Sequence, residues 1–126
     1  RRRKIQIAGT KIIYEHNPKL LNKIEDSGYF DRITEGFKQV VYYGTGRGNT
    51  DIKYKPAGKT GTSEVVYNKD VTTINQTYAM FAPYDNPQYS IVVISPNISY
   101  NNDEDTYIAP INRYISKEVS KLVFEK

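Results

Sequence analysis

The chain has 126 residues, with 18 Lys and Arg against 14 Asp and Glu and a formal net charge of +4. Four of the positive charges open the chain as Arg1, Arg2, Arg3 and Lys4, so the remainder is neutral; this argues against a nucleic-acid binder, which needs a basic face that tracks phosphates. Cys is absent, which excludes a disulfide scaffold, a thiolate metal site and a Cys nucleophile. Hydrophobic residues make up 38%, within reach of a folded core, and Tyr supplies 12 of the aromatic side chains against 4 from Phe. The aliphatic run Ile91–Ile94 is too short for a membrane span, and no signal peptide is visible. The chain opens on Arg1 and its single Met is Met80, so the expectation is a piece of a longer protein.

Read in chain order, Arg1–Lys4 is expected to be a frayed, solvated end. Lys4 to Tyr14 carries Ile5, Ile7, Ile12 and Ile13 around Gly9-Thr10, which predicts a strand, a turn and a second short strand. Asn17-Pro18 punctuates, and Lys19 to Glu25 is compatible with one or two helical turns. The clearest helix runs from about Tyr29 to Tyr43, with Phe30, Ile33, Phe37, Val40 and Val41 on one stripe. Ser27 or Asp31 is its expected cap, and Gly44 its expected left-handed stop. Gly36 inside it implies close packing against another element. Gly44-Thr45-Gly46-Arg47-Gly48-Asn49 reads as a flexible loop. Strands are then expected at Ala57 to Tyr67, Thr77 to Ala82 and Tyr89 to Ser95. Asn68-Lys69-Asp70 makes the first connection, and Pro83 to Gln88, with two prolines, the second. Asn97 to Asp105 is polar and irregular. A last helix, about Tyr107 to Glu125, carries Ile108, Ile111, Ile115, Val119 and Leu122 on one face. The fold class is therefore α+β, an antiparallel three-stranded sheet core with flanking helices.

Ala57-Gly58-Lys59-Thr60-Gly61-Thr62-Ser63-Glu64 is the stretch that carries chemistry. Gly58-Lys59-Thr60 matches the end of a phosphate-binding loop, but that loop needs Gly five residues earlier, where Lys53 stands, and it must run into a helix, whereas Val65-Val66-Tyr67 reads extended. A dinucleotide fingerprint fails in the same way at Asn49. The other reading is the Lys-Thr-Gly strand of penicillin-binding proteins and serine β-lactamases. Lys59-Thr60-Gly61-Thr62 resembles the third motif of class B penicillin-binding proteins, the peptidoglycan D,D-transpeptidases. Gly36-Phe37-Lys38-Gln39-Val40-Val41 followed by Gly44-Thr45-Gly46 is similar to the helix and loop that precede it there. Tyr78 to Pro87 resembles the family's next strand and turn, and Ser90 to Ile94 its final strand. The resemblance spans about residues 29 to 126, with 1–28 a lead-in segment. It implies that residues 1–126 are the C-terminal portion of a transpeptidase domain, a sub-piece of the β-lactamase-like fold.

The resemblance implies acyl transfer on D-Ala-D-Ala stem peptides, acylation by β-lactams, no cofactor and no metal. It implies that Lys59 sets the electrostatics of proton transfer, that Thr60 and Thr62 bind the substrate carboxylate, and that Gly61 lets substrate lie along the strand. The Thr62 N–H would share the oxyanion hole with the nucleophile. That family also needs Ser-x-x-Lys and then Ser-x-Asn before Lys-Thr-Gly. No Ser-x-x-Lys occurs in the chain. Ser95-Pro96-Asn97 and Ser99-Tyr100-Asn101 come after Lys59, at an expected strand end and in a polar loop, and read as decoys. The nucleophile is therefore expected on an upstream part, which becomes this chain's partner alongside stem peptide and β-lactam. The implied location is the extracytoplasmic side of a bacterial membrane, with no membrane segment in this chain.

Several other features have plainer readings. His16, the single His, is expected at the surface, without the partners that a base or a zinc site needs. Asp103-Glu104-Asp105 lacks the spacing of a calcium loop and reads as a solvated acidic loop. Asn75-Gln76-Thr77 and Asn97-Ile98-Ser99 are glycosylation sequons only in a secreting eukaryote. The tyrosines are expected to edge the core and the interface with the missing part. The alternatives are a non-catalytic binding module in which Lys-Thr-Gly is incidental, and a β-lactam sensor or class D β-lactamase-like fragment.

Overall fold

The computed structural model describes residues 3–6, 12–16, 19–25, 28–69, 71–100 and 110–125. Near the start, β1 (Arg3–Gln6) and β2 (Ile12–His16) pair antiparallel, with Ile5 opposite Tyr14. Arg3 and Lys4 thus belong to a strand, and the expectation of a frayed end fails for them. Residues 19–25 form no helix; Leu20, Leu21 and Ile24 are exposed, so no apolar face is available to stabilise one.

Three longer strands form the main sheet: β3 (Ala57–Asn68), β4 (Val71–Ala82) and β5 (Tyr89–Tyr100). Their order is β3-β4-β5, all antiparallel, so β3 and β5 are its edges. The Pro83–Gln88 connection closes with the Gln88 N–H on the Ala82 carbonyl at 3.0 Å. The Lys55–Asp85 ion pair at 2.7 Å ties that loop to the segment before β3. β4 and β5 run further than the sequence pattern suggested. Between Ile74 and Gln76 the register slips, and Pro96, Asn97 and Ile98 bulge opposite Asn75. Pro96 brings no donor to the ladder, and Asn97 takes φ +53°, a left-handed value that Asn tolerates. The Asn97 N–H donates to Asn75 Oδ1 at 2.9 Å and the Thr73 hydroxyl to Asn97 Oδ1 at 2.7 Å, so the irregular composition encodes a bulge within a strand.

Residues directly opposite in an antiparallel pair share a face. Tyr78, Met80 and Ala82 of β4 therefore lie with Ile91 and Val93 of β5, and these five form the core. Helix α2 (Ile111–Phe124) covers that face, packing Val119, Val123 and Phe124 against it. Phe124 also stacks on Tyr54, ring centroids 4.8 Å apart, and meets Tyr89 edge-on at 5.4 Å. The expected apolar face of α2 is buried only in part, with Val119 on the core. Ile115 is 42% and Leu122 72% exposed, while Asn112, Ser116 and Ser120 are buried; Ile108 lies outside the described residues. Small serines let the helix approach the sheet, and their hydroxyls are satisfied locally. Ser116 Oγ donates to the carbonyls of Asn112 (2.5 Å) and Asn49 (2.7 Å), and Ser120 Oγ to that of Ser116 (2.6 Å). A bonded hydroxyl avoids the desolvation penalty that would otherwise expel it.

Helix α1 (Tyr29–Tyr42) packs beside β3 on the opposite face, where Phe37 meets Phe81 edge-on at 6.5 Å. Its N-cap is Gly28 at φ +76°, not Asp31, which lies in the first turn with its charge at the positive helix end; Ser27 is outside the described residues. Phe30 and Ile33 of its stripe are exposed. The expected close packing at Gly36 is not found: among the described residues, and apart from the helix's own backbone, no atom lies within 4 Å of a Cβ there. Gly44 is likewise no left-handed stop, because the positive-φ glycines among the described residues are Gly28 and Gly48. Gly44 is needed for closeness instead: a Cβ there would stand 3.1 Å from the Val40 backbone.

Candidate functional site

The chain leaving α1 turns back under the helix end. The N–H groups of Gly44 and Gly46 both donate to the Val40 carbonyl, at 3.1 and 3.0 Å, and Asn49 Nδ2 donates to the Gly46 carbonyl at 2.9 Å. Ser116 of α2 holds the Asn49 carbonyl from the other side. The segment read as flexible is therefore a pinned set of turns, with Gly46, Asn49 and Thr50 buried. It carries Thr45 to β3, where the Thr45 and Thr60 hydroxyls lie 2.6 Å apart.

β3 presents Lys59-Thr60-Gly61-Thr62 on an edge of the described sheet. Thr60 and Thr62 stand opposite Tyr78 and Gln76, so both face the α2 side. Lys59 and Gly61 stand opposite Ala79 and Thr77, on the α1 side. Lys59 is exposed, its ammonium donates to the Thr60 carbonyl at 2.6 Å, and it pairs with no carboxylate among the described residues. Two glycines set how closely β3 approaches β4. A Cβ on Gly58 would stand 2.6 Å from the Ala79 carbonyl oxygen and 2.7 Å from Met80 Cβ, and one on Gly61 would collide with the Thr77 hydroxyl. Gly61 thus has a packing reason that its sequence reading did not include.

A cavity of about 250 Å³ opens on the α2 side of this strand, lined by Thr45, Thr60, Thr62, Gln76, Asn112 and Arg113 among others. Its floor includes Tyr78, fully buried, whose hydroxyl is 3.4 Å from Thr50 Oγ1; burial pushes the Tyr78 phenol above its ordinary pKa and keeps it neutral. Asn112 is 5% exposed; its Oδ1 accepts from the Ser95 hydroxyl at 2.6 Å, and its Nδ2 has no partner among the described residues. A buried donor left unpaired costs about 1–3 kcal/mol. Among the described residues no acidic side chain lines the cavity. The arrangement offers hydroxyl and amide donors, and a guanidinium, to an acceptor-rich ligand.

The structure thus brings Thr60 and Thr62 into one cavity wall and places Lys59 on the other face of the same edge. Sequence reasoning reached Thr45 only as part of a Gly-Thr loop, and missed Asn112 and Arg113, because the α2 pattern assigned the buried face to isoleucines. The two Ser-x-Asn decoys are not at a strand end and in a loop: Ser95 and Asn97 lie inside β5, bonded to Asn112 and Thr73, while Ser99 and Tyr100 end β5. Asn101 and Asp103-Glu104-Asp105 are outside the described residues. Among the described residues no His, Cys, Asp and Glu group is placed to hold a metal ion, and no helix is long and apolar enough to cross a membrane.

A family model described as the penicillin binding protein transpeptidase domain matches residues 4–117. Penicillin-binding protein 2A of Bacillus subtilis (strain 168) is 36% identical over 118 residues, which cover 86% of this chain and 15% of that protein. No solved structure matches the chain.

Proposed function

The chain belongs to the penicillin-binding-protein transpeptidase family, and on that premise we propose that it forms one wall of the acyl-transfer cleft of a class B, serine-type peptidoglycan D,D-transpeptidase. The observation that carries the reading is the run Lys59-Thr60-Gly61-Thr62 on edge strand β3, bordering a cavity lined by donors. An extended stem peptide adds to such an edge through main-chain hydrogen bonds, as peptides do on exposed sheet edges. Thr60 and Thr62 then face its terminal carboxylate with two hydroxyl donors from one side of the strand. The Thr62 N–H serves as one oxyanion donor, and losing one such donor typically costs about 10²–10³ in rate.

Lys59 supplies a positive charge, unpaired among the described residues, at the strand edge. Its task in this reading is to favour proton movement through the Ser-x-Asn serine of the upstream part, with the attacking hydroxyl on a Ser-x-x-Lys there as well. In this reading residues 1–126 are the C-terminal portion of the domain, working with that upstream part on the extracytoplasmic side of the membrane, and β-lactams acylate the assembled site. Intact-mass spectrometry tests the division of labour. The chain alone, incubated with a β-lactam, gains no adduct mass; the polypeptide that joins it to its upstream part gains one. An adduct on the isolated chain would remove the upstream serine from the account. No adduct on the joined polypeptide would favour a non-catalytic module.

A further inference from the structure

We propose that Glu64, with Val66 beside it, is a subsite for an ammonium group of the peptide substrates, further along the same edge of β3; this rests on the transpeptidase reading above. The inference starts from the alternation of the strand. Thr60, Thr62, Glu64 and Val66 stand opposite Tyr78, Gln76, Ile74 and Thr72, so all four face the α2 side. Each step of two residues advances about 7 Å, which puts Glu64 one step beyond Thr62 and Val66 one step beyond Glu64. The cavity wall on β3 and β4 ends at Thr62 and Gln76 toward the β3–β4 turn. Glu64 is thus the next side chain on that face of β3 after the cavity wall ends.

Glu64 is exposed and forms no ion pair among the described residues. The cations of this region lie elsewhere. Lys59 is on the α1 face with its ammonium on the Thr60 carbonyl, Arg113 passes over Gly48 at the other end of the cavity, and Lys69 is in the β3–β4 turn. Val66 is 74% exposed. A free carboxylate beside an exposed apolar side chain suits an ammonium on a hydrocarbon stem: the head pairs with the acid and the stem lies on the valine. This face of β3 therefore runs from hydroxyl donors at Thr60 and Thr62 to an acceptor at Glu64, about 13 Å from the first to the last. A peptide lying on the edge with its terminal carboxylate at the threonines carries its preceding residues past Ser63 and Glu64, where a side chain bearing an amine meets the acid. Acyl transfer to a peptide also takes an amine as its second substrate, so the same chemical group has two sources, the acyl donor and the acceptor.

The test uses the full transpeptidase polypeptide that contains this sequence, with Glu64 intact and with Glu64→Gln, which keeps the shape and removes the charge. The donor arm compares acylation by ampicillin and by benzylpenicillin, which differ by one amino group on the acyl side chain, at about pH 6, below the ordinary α-amino pKa. Glu64→Gln is expected to lower the ampicillin-to-benzylpenicillin rate ratio about 3- to 10-fold. The acceptor arm gives the protein a thioester of N-benzoyl-D-alanine, which has no free amine, and D-alanine as acceptor, and measures transfer against hydrolysis. An unchanged penicillin ratio with transfer reduced about 3- to 10-fold relative to hydrolysis would support the subsite and assign it to the acceptor amine. Both ratios unchanged, whether or not the two penicillins slow equally, would overturn the subsite and leave the transpeptidase reading standing. Wild-type protein inert to both penicillins and to the thioester would overturn the transpeptidase reading itself, and the subsite with it.

Discussion

Replacing Ser116 by Leu probes the least intuitive feature of the fold, a helix whose buried row is polar. Ser116 is fully buried, with its hydroxyl on the carbonyls of Asn49 and Asn112. Leu adds three carbons where no space is free, and overpacking costs about 1–3 kcal/mol. It also strips the Asn49 carbonyl of a buried donor, a further loss of about 1–3 kcal/mol. The variant is therefore expected to lose about 2–6 kcal/mol. The control is Leu122→Ser, which removes an apolar side chain that the helical spacing places on the expected buried face. Leu122 is 72% exposed, so with full burial of Leu worth about 1.5–3 kcal/mol, its loss is under about 1 kcal/mol. Urea midpoints of the three proteins, at equal m-values, give the comparison. A larger loss for Leu122→Ser than for Ser116→Leu would mean that the isoleucine and leucine stripe faces the sheet, and the cavity geometry drawn from α2 would fall.

Gly36→Ala is expected to raise the urea midpoint, by about 0.5–1 kcal/mol in stability, because no described atom outside the helix backbone lies within 4 Å of the added methyl; a loss would reveal an element packed on that face of α1. The acid limb of stability is expected to depend on Glu125. Its carboxyl is held below the ordinary value first by the Lys53 ammonium (2.6 Å) and then by the Tyr54 hydroxyl (2.5 Å). A carboxyl lowered on folding contributes above its unfolded pKa and loses that contribution as pH falls through the lowered folded value. Urea midpoints between about pH 6 and pH 3 should therefore fall more steeply for wild type than for Glu125→Gln, and parallel curves would show that the exposed contact contributes nothing.

Much of the architecture is legible in local chemistry. The two prolines around Asp85-Asn86 announce the β4–β5 connection, the β-branched run at 91–94 announces β5, and the Phe37-Val40-Val41 stripe announces α1. The failures share a cause, which is that hydrophobic periodicity assumes the apolar side is the buried side. In α2 the serines are buried because Asn49 and the helix's own carbonyls satisfy them, information held some 70 residues away in the chain. The same gap hid Asn112 and Arg113. Their value comes from lying across a cavity from Thr60, and no local spacing encodes that. Gly36 and Gly44 misled for a related reason: the sequence records that Cβ is absent but not whether φ, a neighbour or neither requires it. Residues 97–100 read as polar and irregular, whereas Pro96 and Asn97 bulge a strand that continues past them. Lys59, Thr60, Gly61 and Thr62 were identified by motif, and the register adds that the lysine and the threonines occupy opposite faces.

The most direct measurement is the rate of β-lactam acylation of the full transpeptidase polypeptide with Lys59 intact and with Lys59→Ala, followed by intact mass. Loss of the ammonium at the β3 edge is expected to slow adduct formation by about 10²-fold or more, the scale of a removed proton-transfer partner, while leaving the urea midpoint of this exposed position within about 0.5 kcal/mol. Adduct forming at the wild-type rate without Lys59 would contradict the claim that this strand is a wall of the reacting cleft.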